Sequence, residues 1–237
     1  MRRKHPVFFI SLLGLTASSQ GFADGLAVDR VYEPYVNPLE KELEYRRVEV
    51  NRSESGRQRD SIQKLGFAAA VSDRLALEAY IIDDDLGEKT IDAFELEARY
   101  QLTEQGEYSA DWGLMLEYEK QRENKETELA ATVIIAKQIK RFTTTVNASL
   151  IYENLGNDKV EWDSQLNAQL RYMYHPHLEP AIEFYAGEDY RGIGPAAMGT
   201  IRFSNANSLH WQLGSIFGLD QDSEDVVIRF LLEYEFY

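Results

Sequence analysis

Carboxylates recur two residues apart along this chain, as Glu95 and Glu97, Glu117 and Glu119, and Glu161 and Asp163. Such pairs can attract a cation, hold a metal ion or share a proton in acid–base chemistry. They act together only if both side chains face the same way. At a spacing of two they do so in a strand and not in a helix. Arg99, Arg171 and Arg202 carry the opposite charge. Histidine is sparse: beyond residue 24 there are only His175, His177 and His210. His175-Pro176-His177 with Glu179 offers metal-type ligands, yet the spacing specifies no further one, and the motif reads as a surface turn. No Gly-x-Ser-x-Gly nucleophile elbow is present. No catalytic residue, metal site or cofactor is therefore expected.

The elements that position these charges are strands. In FTTTVNASLIYENLG (142–156), Phe142, Thr144, Val146, Ala148, Leu150 and Tyr152 alternate with Thr143, Thr145, Asn147, Ser149, Ile151 and Glu153. One face is apolar and the other polar. The same pattern recurs at 94–102, 110–118, 160–174, 209–217 and 227–236. It is weaker at 40–50, 61–72, 75–83, 127–138, 180–187 and 196–204. That predicts about twelve strands, one roughly every sixteen residues, with turn-forming clusters between them. GEDYRGIGP (187–195) reads as one of the turns.

A soluble β-domain would turn the apolar face inward; a transmembrane barrel turns it outward. Numbering strands from an inner start separates the apolar-face aromatics into two levels. Trp112, Tyr100, Phe142, Tyr172, Tyr174, Phe203, Trp211, Tyr234 and Phe236 form one. Phe94, Tyr118, Tyr152, Trp162 and Phe217 form the other. A bilayer selects two interfacial belts and a protein core does not. The expected fold class is all-β, a transmembrane antiparallel up-and-down barrel of about twelve strands.

The first residues fit export to a membrane. A basic Met1-Arg2-Arg3-Lys4 precedes the apolar VFFISLLGL (7–15), and small residues at Gly21 and Ala23 suit a peptidase. Residues 1–23 are expected to be a signal peptide removed after Ala23. Residues 24–39, with Pro34 and Pro38, are expected to form an extended periplasmic segment, and 40–237 the outer-membrane barrel. YEPYVNP (32–38) reads as a tether, with plugging of the lumen and periplasmic partner binding as the other readings. The formal net charge of −15, from 25 basic and 40 acidic residues, excludes nucleic acid as a partner. There is no cysteine for a disulfide or a thiolate metal site.

FLLEYEFY (230–237) resembles the terminal strand of bacterial outer-membrane proteins, with Tyr237 one residue beyond the alternating set. From residue 40 onward the chain resembles the small porin- and transporter-like outer-membrane β-barrel proteins of Gram-negative bacteria. The resemblance implies outer-membrane lipid and lipopolysaccharide as surroundings, and the assembly machinery as a partner of the C-terminal strand.

Within such a barrel, Glu95, Glu97, Glu117, Glu119, Glu161 and Asp163 fall in the outer half of the lumen. Arg99, Arg171 and Arg202 fall in the inner half. The outer carboxylates lack basic partners at their own level, Arg229 excepted. The inner arginines are expected to pair with Glu183, Glu233 and Glu235. The outer loops add Asp83, Asp84, Asp85, Glu188, Asp189, Asp220, Asp222 and Asp225. These features describe a narrow, weakly cation-preferring channel or small-solute transporter. A structural or partner-binding barrel is the alternative. An enzyme is the poorer reading, because every retained histidine lies at the inner end.

Overall fold

The computed structural model describes residues 28–51, 59–83, 91–122, 126–156, 159–188, 190–203, 206–221 and 223–237. The signal segment and the loop acids Asp84, Asp85, Asp189 and Asp222 lie outside the described residues. The strands are β1 (Lys41–Asn51), β2 (Arg59–Ala70), β3 (Leu75–Asp83), β4 (Ala93–Gln101), β5 (Asp111–Gln121) and β6 (Thr127–Ile139). They continue with β7 (Phe142–Asn154), β8 (Val160–Tyr172), β9 (Glu179–Ala186), β10 (Arg191–Arg202), β11 (Ser208–Gly218) and β12 (Val226–Phe236). Each pairs with its neighbours in sequence, and β1 pairs antiparallel with β12, so the sheet closes into a barrel. Because the strand number is even, β1 begins and β12 ends at one rim, called here the terminal rim.

Alternation decides which face is which. In β4, Ala93, Glu95, Glu97, Arg99 and Gln101 are buried, while Phe94, Leu96 and Tyr100 are exposed. In β5, Trp112, Leu114 and Leu116 point outward. The polar side chains are thus inside and the apolar ones outside, the reverse of a water-soluble protein. Leu116 and Trp162 are each 62% exposed. Such a surface is at home only against hydrocarbon, where a closed barrel leaves no backbone group unpaired. Among the described residues no helix is long and apolar enough to cross a membrane. Registered aromatic pairs mark both rims of the outer surface. Phe142 meets Tyr172 at 5.0 Å near the terminal rim, and Tyr152 meets Trp162 at 5.0 Å near the opposite one.

Two expectations need correction. The stretch 187–195 is not all turn: β10 begins at Arg191 and carries Gly192, Gly194 and Pro195 within the strand. A Cβ on Gly194 would lie 1.8 Å from the Ser215 carbonyl oxygen. This close approach of β10 to β11 requires glycine, and the glycines that make it also read as turn residues. Proline has no N–H to give, and the β10–β11 register accordingly passes over Gly194 and Pro195.

The second correction concerns the segment expected to lie outside the barrel. Residues 28–36 run inside it. Val28 packs near the opposite rim with Val48, Val50, Tyr185, Tyr190, Ile216 and Val227. Asp29 pairs with Arg46, and Arg30 with Glu44. The segment therefore descends beside β1 with opposite polarity. It reverses at Asn37–Glu40, where the Glu40 N–H donates to the Asn37 carbonyl at 3.2 Å and Leu39 takes a φ of 70°. Its prolines deny it a place in the sheet, and side chains of the lumen satisfy its backbone instead.

Candidate functional site

The strap formed by residues 28–36 divides the lumen. Toward the terminal rim it is moored on several strands. Asn147 of β7 accepts from the Tyr32 N–H at 2.7 Å and donates to the Tyr32 carbonyl at 2.9 Å. The Tyr32 hydroxyl donates to Glu97 at 2.7 Å, and its ring packs with Met115 and Ile134. The Val36 N–H donates to Gln101 at 2.8 Å, and the Tyr35 hydroxyl to Asp111 at 2.7 Å. Arg171 pairs with Glu33, while Arg99 donates to the Glu33 carbonyl at 3.3 Å. Pro34 lies against Gly113, where an added Cβ would come within 2.9 Å. Together these groups fill the lumen in this half.

The other half stays open on one side. A cavity of about 340 Å³ runs along β5–β8, with the strap residues Asp29, Arg30 and Tyr32 as part of its lining. It extends to Glu126, Leu155, Glu188 and Tyr190 in the loops of the opposite rim. Glu117, Glu119, Glu128, Glu153 and Asp163 line its wall. At the rim, burial and the nearby Glu224 and Asp220 push the Tyr190 phenol above its ordinary range, so it stays neutral.

Register explains how the wall arises. Glu95 stands opposite Glu119, Glu119 opposite Glu128, Glu128 opposite Glu153, and Glu153 opposite Glu161. Five consecutive strands, β4 to β8, thus place an inward glutamate on one row. Like charges directly opposite one another destabilise a sheet.

The expected site residues separate into different roles. Glu117, Glu119 and Asp163 line the cavity, and Glu161 sits half-exposed two residues from Asp163 toward the rim. Glu95 is instead paired with Lys64 of β2 at 2.7 Å, and Glu97 is the acceptor for Tyr32. The outer carboxylates are therefore not without basic neighbours. Lys64, Arg46 and the strap's Arg30 share that half of the lumen, because even-numbered residues of β1 and β2 point inward. Arg99 pairs with Glu78 at 2.9 Å, and Arg171 reaches Glu179 at 3.4 Å as well as Glu33. Arg202 is exposed at the end of β10. The expected partners of these arginines are taken by other groups. Arg229 binds Glu183, Arg30 binds Glu233 at 2.9 Å, and His210 binds Glu235 at 2.9 Å. Lys64, Glu128 and Glu153 were readable from strand parity. For the strap, plugging of the lumen by YEPYVNP is one of the readings beside the tether, but its partners are not readable, since no period marks a segment that enters a lumen.

The histidines stand at the terminal rim. His175 and His177 share a turn with ring centres 5.0 Å apart, and His177 Nδ1 bonds the Thr200 carbonyl at 2.6 Å. Tyr237 also acts there, donating to Glu40 at 3.0 Å across the β1–β12 seam. Burial and the Glu40 carboxylate push its phenol up to about 12, so it remains a donor.

The chain is similar to the COG4313 outer membrane channel from Pseudomonas putida F1, at 13% identity and a TM-score of 0.56, over 88% of this chain and 98% of that one. It is also similar to the KdgM porin in complex with disordered oligogalacturonate, at 8% identity and a TM-score of 0.50, over 83% and 98%. The fold is that of the outer-membrane β-barrel channels. No family model and no curated protein matches the sequence. In an outer-membrane barrel the exposed leucines meet lipid.

Proposed function

We propose that the protein is an outer-membrane channel or small-solute transporter that admits cations from the outside, with its own strap as the internal constriction. The terminal rim is then periplasmic, where a chain released from a signal peptide begins its barrel. One observation carries the reading: the lumen is filled beside Tyr32 and Tyr35 but keeps a carboxylate-walled cavity that reaches the opposite rim. A low-dielectric wall focuses the field of such charges and raises the local cation concentration. Among the described residues, Arg46, Lys64 and Arg30 are engaged by Asp29, Glu95, Glu44 and Glu233. Removal of residues 1–23, and recognition of the C-terminal strand by the assembly machinery, belong to the same reading.

The test is conductance in planar bilayers, with the wild type beside a variant lacking residues 28–36. Small steps are expected from the wild type and larger ones from the deletion, with a reversal potential favouring cations. Replacing Glu117, Glu119, Glu161 and Asp163 by their amides should move that potential toward anions. Silence from both proteins would refute conduction and leave a structural barrel, a reading that the strap's filling of the lumen favours.

A further inference from the structure

The acidic wall of the cavity does not reach its floor. On β5 to β8 the floor consists of two inward rows. Asn147 stands beside Asn167, and one step toward the opposite rim Met115, Thr132, Ser149 and Gln165 stand in register. None of these side chains is charged. The acids begin one row further out, with Glu117 and Asp163. The strap closes the floor from below, because Asn147 holds the Tyr32 backbone at 2.7 and 2.9 Å.

Two observations at this floor point to a ligand. Asn167 lines the cavity, is 6% exposed, and its Oδ1 is buried without a hydrogen-bond partner. An acceptor left in that state is costly, and a donor from a solute relieves it. Thr132 and Ser149 share a hydrogen bond of 2.7 Å. That bond uses one of the two hydroxyl protons and leaves the other to donate. Asn167 is the diagonal neighbour of Ser149 across β7–β8, about 7–8 Å away. A pyranose ring spans about 5–6 Å between opposite hydroxyl oxygens by ordinary bond lengths. One ring therefore reaches both. Met115, Ala130 and Tyr32 add an apolar surface to the same cavity.

Other solutes fit this floor less well. Among the described residues, three or more metal-type ligands converge only in the groups His210, Glu233, Glu235 and Glu40, Glu42, Glu235, and neither group lines the cavity. An organic cation is held by the acids further out, and an anion is repelled by them. A wholly apolar solute leaves the Asn167 acceptor unpaired. A sugar carries hydroxyls around its edge and C–H groups on its faces. The volume of about 340 Å³ is within the range of small-molecule sites, and the cavity opens at the rim.

We propose that the floor binds one pyranose unit of an uncharged sugar. One sugar hydroxyl donates to Asn167 Oδ1, another accepts from the Thr132–Ser149 pair, and the C–H face lies toward Met115 and Ala130. The proposal rests on the small-solute transporter reading above and names the solute class of the same vestibule.

The experiment is calorimetric titration of the full barrel, in a detergent without a sugar headgroup, with glucose and separately with glucuronate. Saturable one-to-one binding of glucose is expected. Glucuronate, the same ring with a carboxylate, should bind at least tenfold more weakly. Asn167→Leu and Ser149→Ala should each weaken glucose about fivefold, the scale of one neutral hydrogen bond. Thr145→Val is the control: its buried hydroxyl also has no partner, but it does not line the cavity, and glucose should bind as to the wild type. Heat-modifiable migration verifies that each variant is folded. No saturable glucose binding, equal binding of glucuronate, or equal effects of Thr145→Val and Asn167→Leu overturns the proposal. Current in planar bilayers without glucose binding removes this inference and leaves the channel. Glucose binding without current sustains the site and removes the channel.

Discussion

Asn147→Leu tests whether the strap is held as the structure indicates. Asn147 is 2% exposed and satisfies both the N–H and the carbonyl of Tyr32. Leucine has similar bulk and neither function. The substitution leaves two backbone groups of the strap unpaired inside the barrel, at about 1–3 kcal/mol each. Their combined effect is about 4 kcal/mol, a shift of roughly a thousandfold between docked and released strap. Several moorings remain, including Tyr32 to Glu97 and Val36 to Gln101. The strap therefore opens more often without leaving for good. The chain contains no cysteine, so Val31→Cys, buried at 4% exposure on the strap, gives a unique label site. Its modification by a membrane-impermeant maleimide reports the released fraction. Thr145→Val is the control: Thr145 lies two residues away on β7, and its buried hydroxyl has no partner. The Asn147→Leu background should label up to a thousandfold faster, and the Thr145→Val background at the wild-type rate. Equal rates in all three would refute the mooring argument.

Two further outcomes test the barrel itself. Leu150 is 53% exposed on the outer face, while Ser149 bonds Thr132 at 2.7 Å within the lumen. Leu150→Arg should cost about 2–4 kcal/mol in urea unfolding from liposomes, and Ser149→Arg clearly less, because only the first places a charge in hydrocarbon. Arg229→Met strands Glu183, which is fully buried and bonded by Arg229 Nε at 2.8 Å. It should destabilise by about 3–5 kcal/mol in the same assay. Adding Glu183→Gln should recover much of that loss by removing the unpaired charge.

Parity made much of this architecture readable. Once Phe94, Leu96 and Tyr100 alternate with Glu95, Glu97 and Arg99, the two faces of β4 follow from the pleat alone. The same rule gives the inward glutamates of β5 and β8. It weakens where inward residues are also apolar, as with Val48 and Val50, which pack against the strap's Val28. It misleads at β10, where glycines placed for close approach look like a turn.

The sequence alone determined that the chain crosses a bilayer in strands, because alternation, aromatic levels and strand length are local properties of ten-residue stretches. It also determined which carboxylates point inward. Which charges meet was decided only by tertiary structure. Lys64 reaches Glu95 across 31 residues, and Arg229 reaches Glu183 across 46. Whether residues 28–36 lie outside the barrel or within it is likewise not local. Their backbone has no partner of its own, and its partners, Asn147 and Gln101, come from strands that stand around it only after the barrel closes.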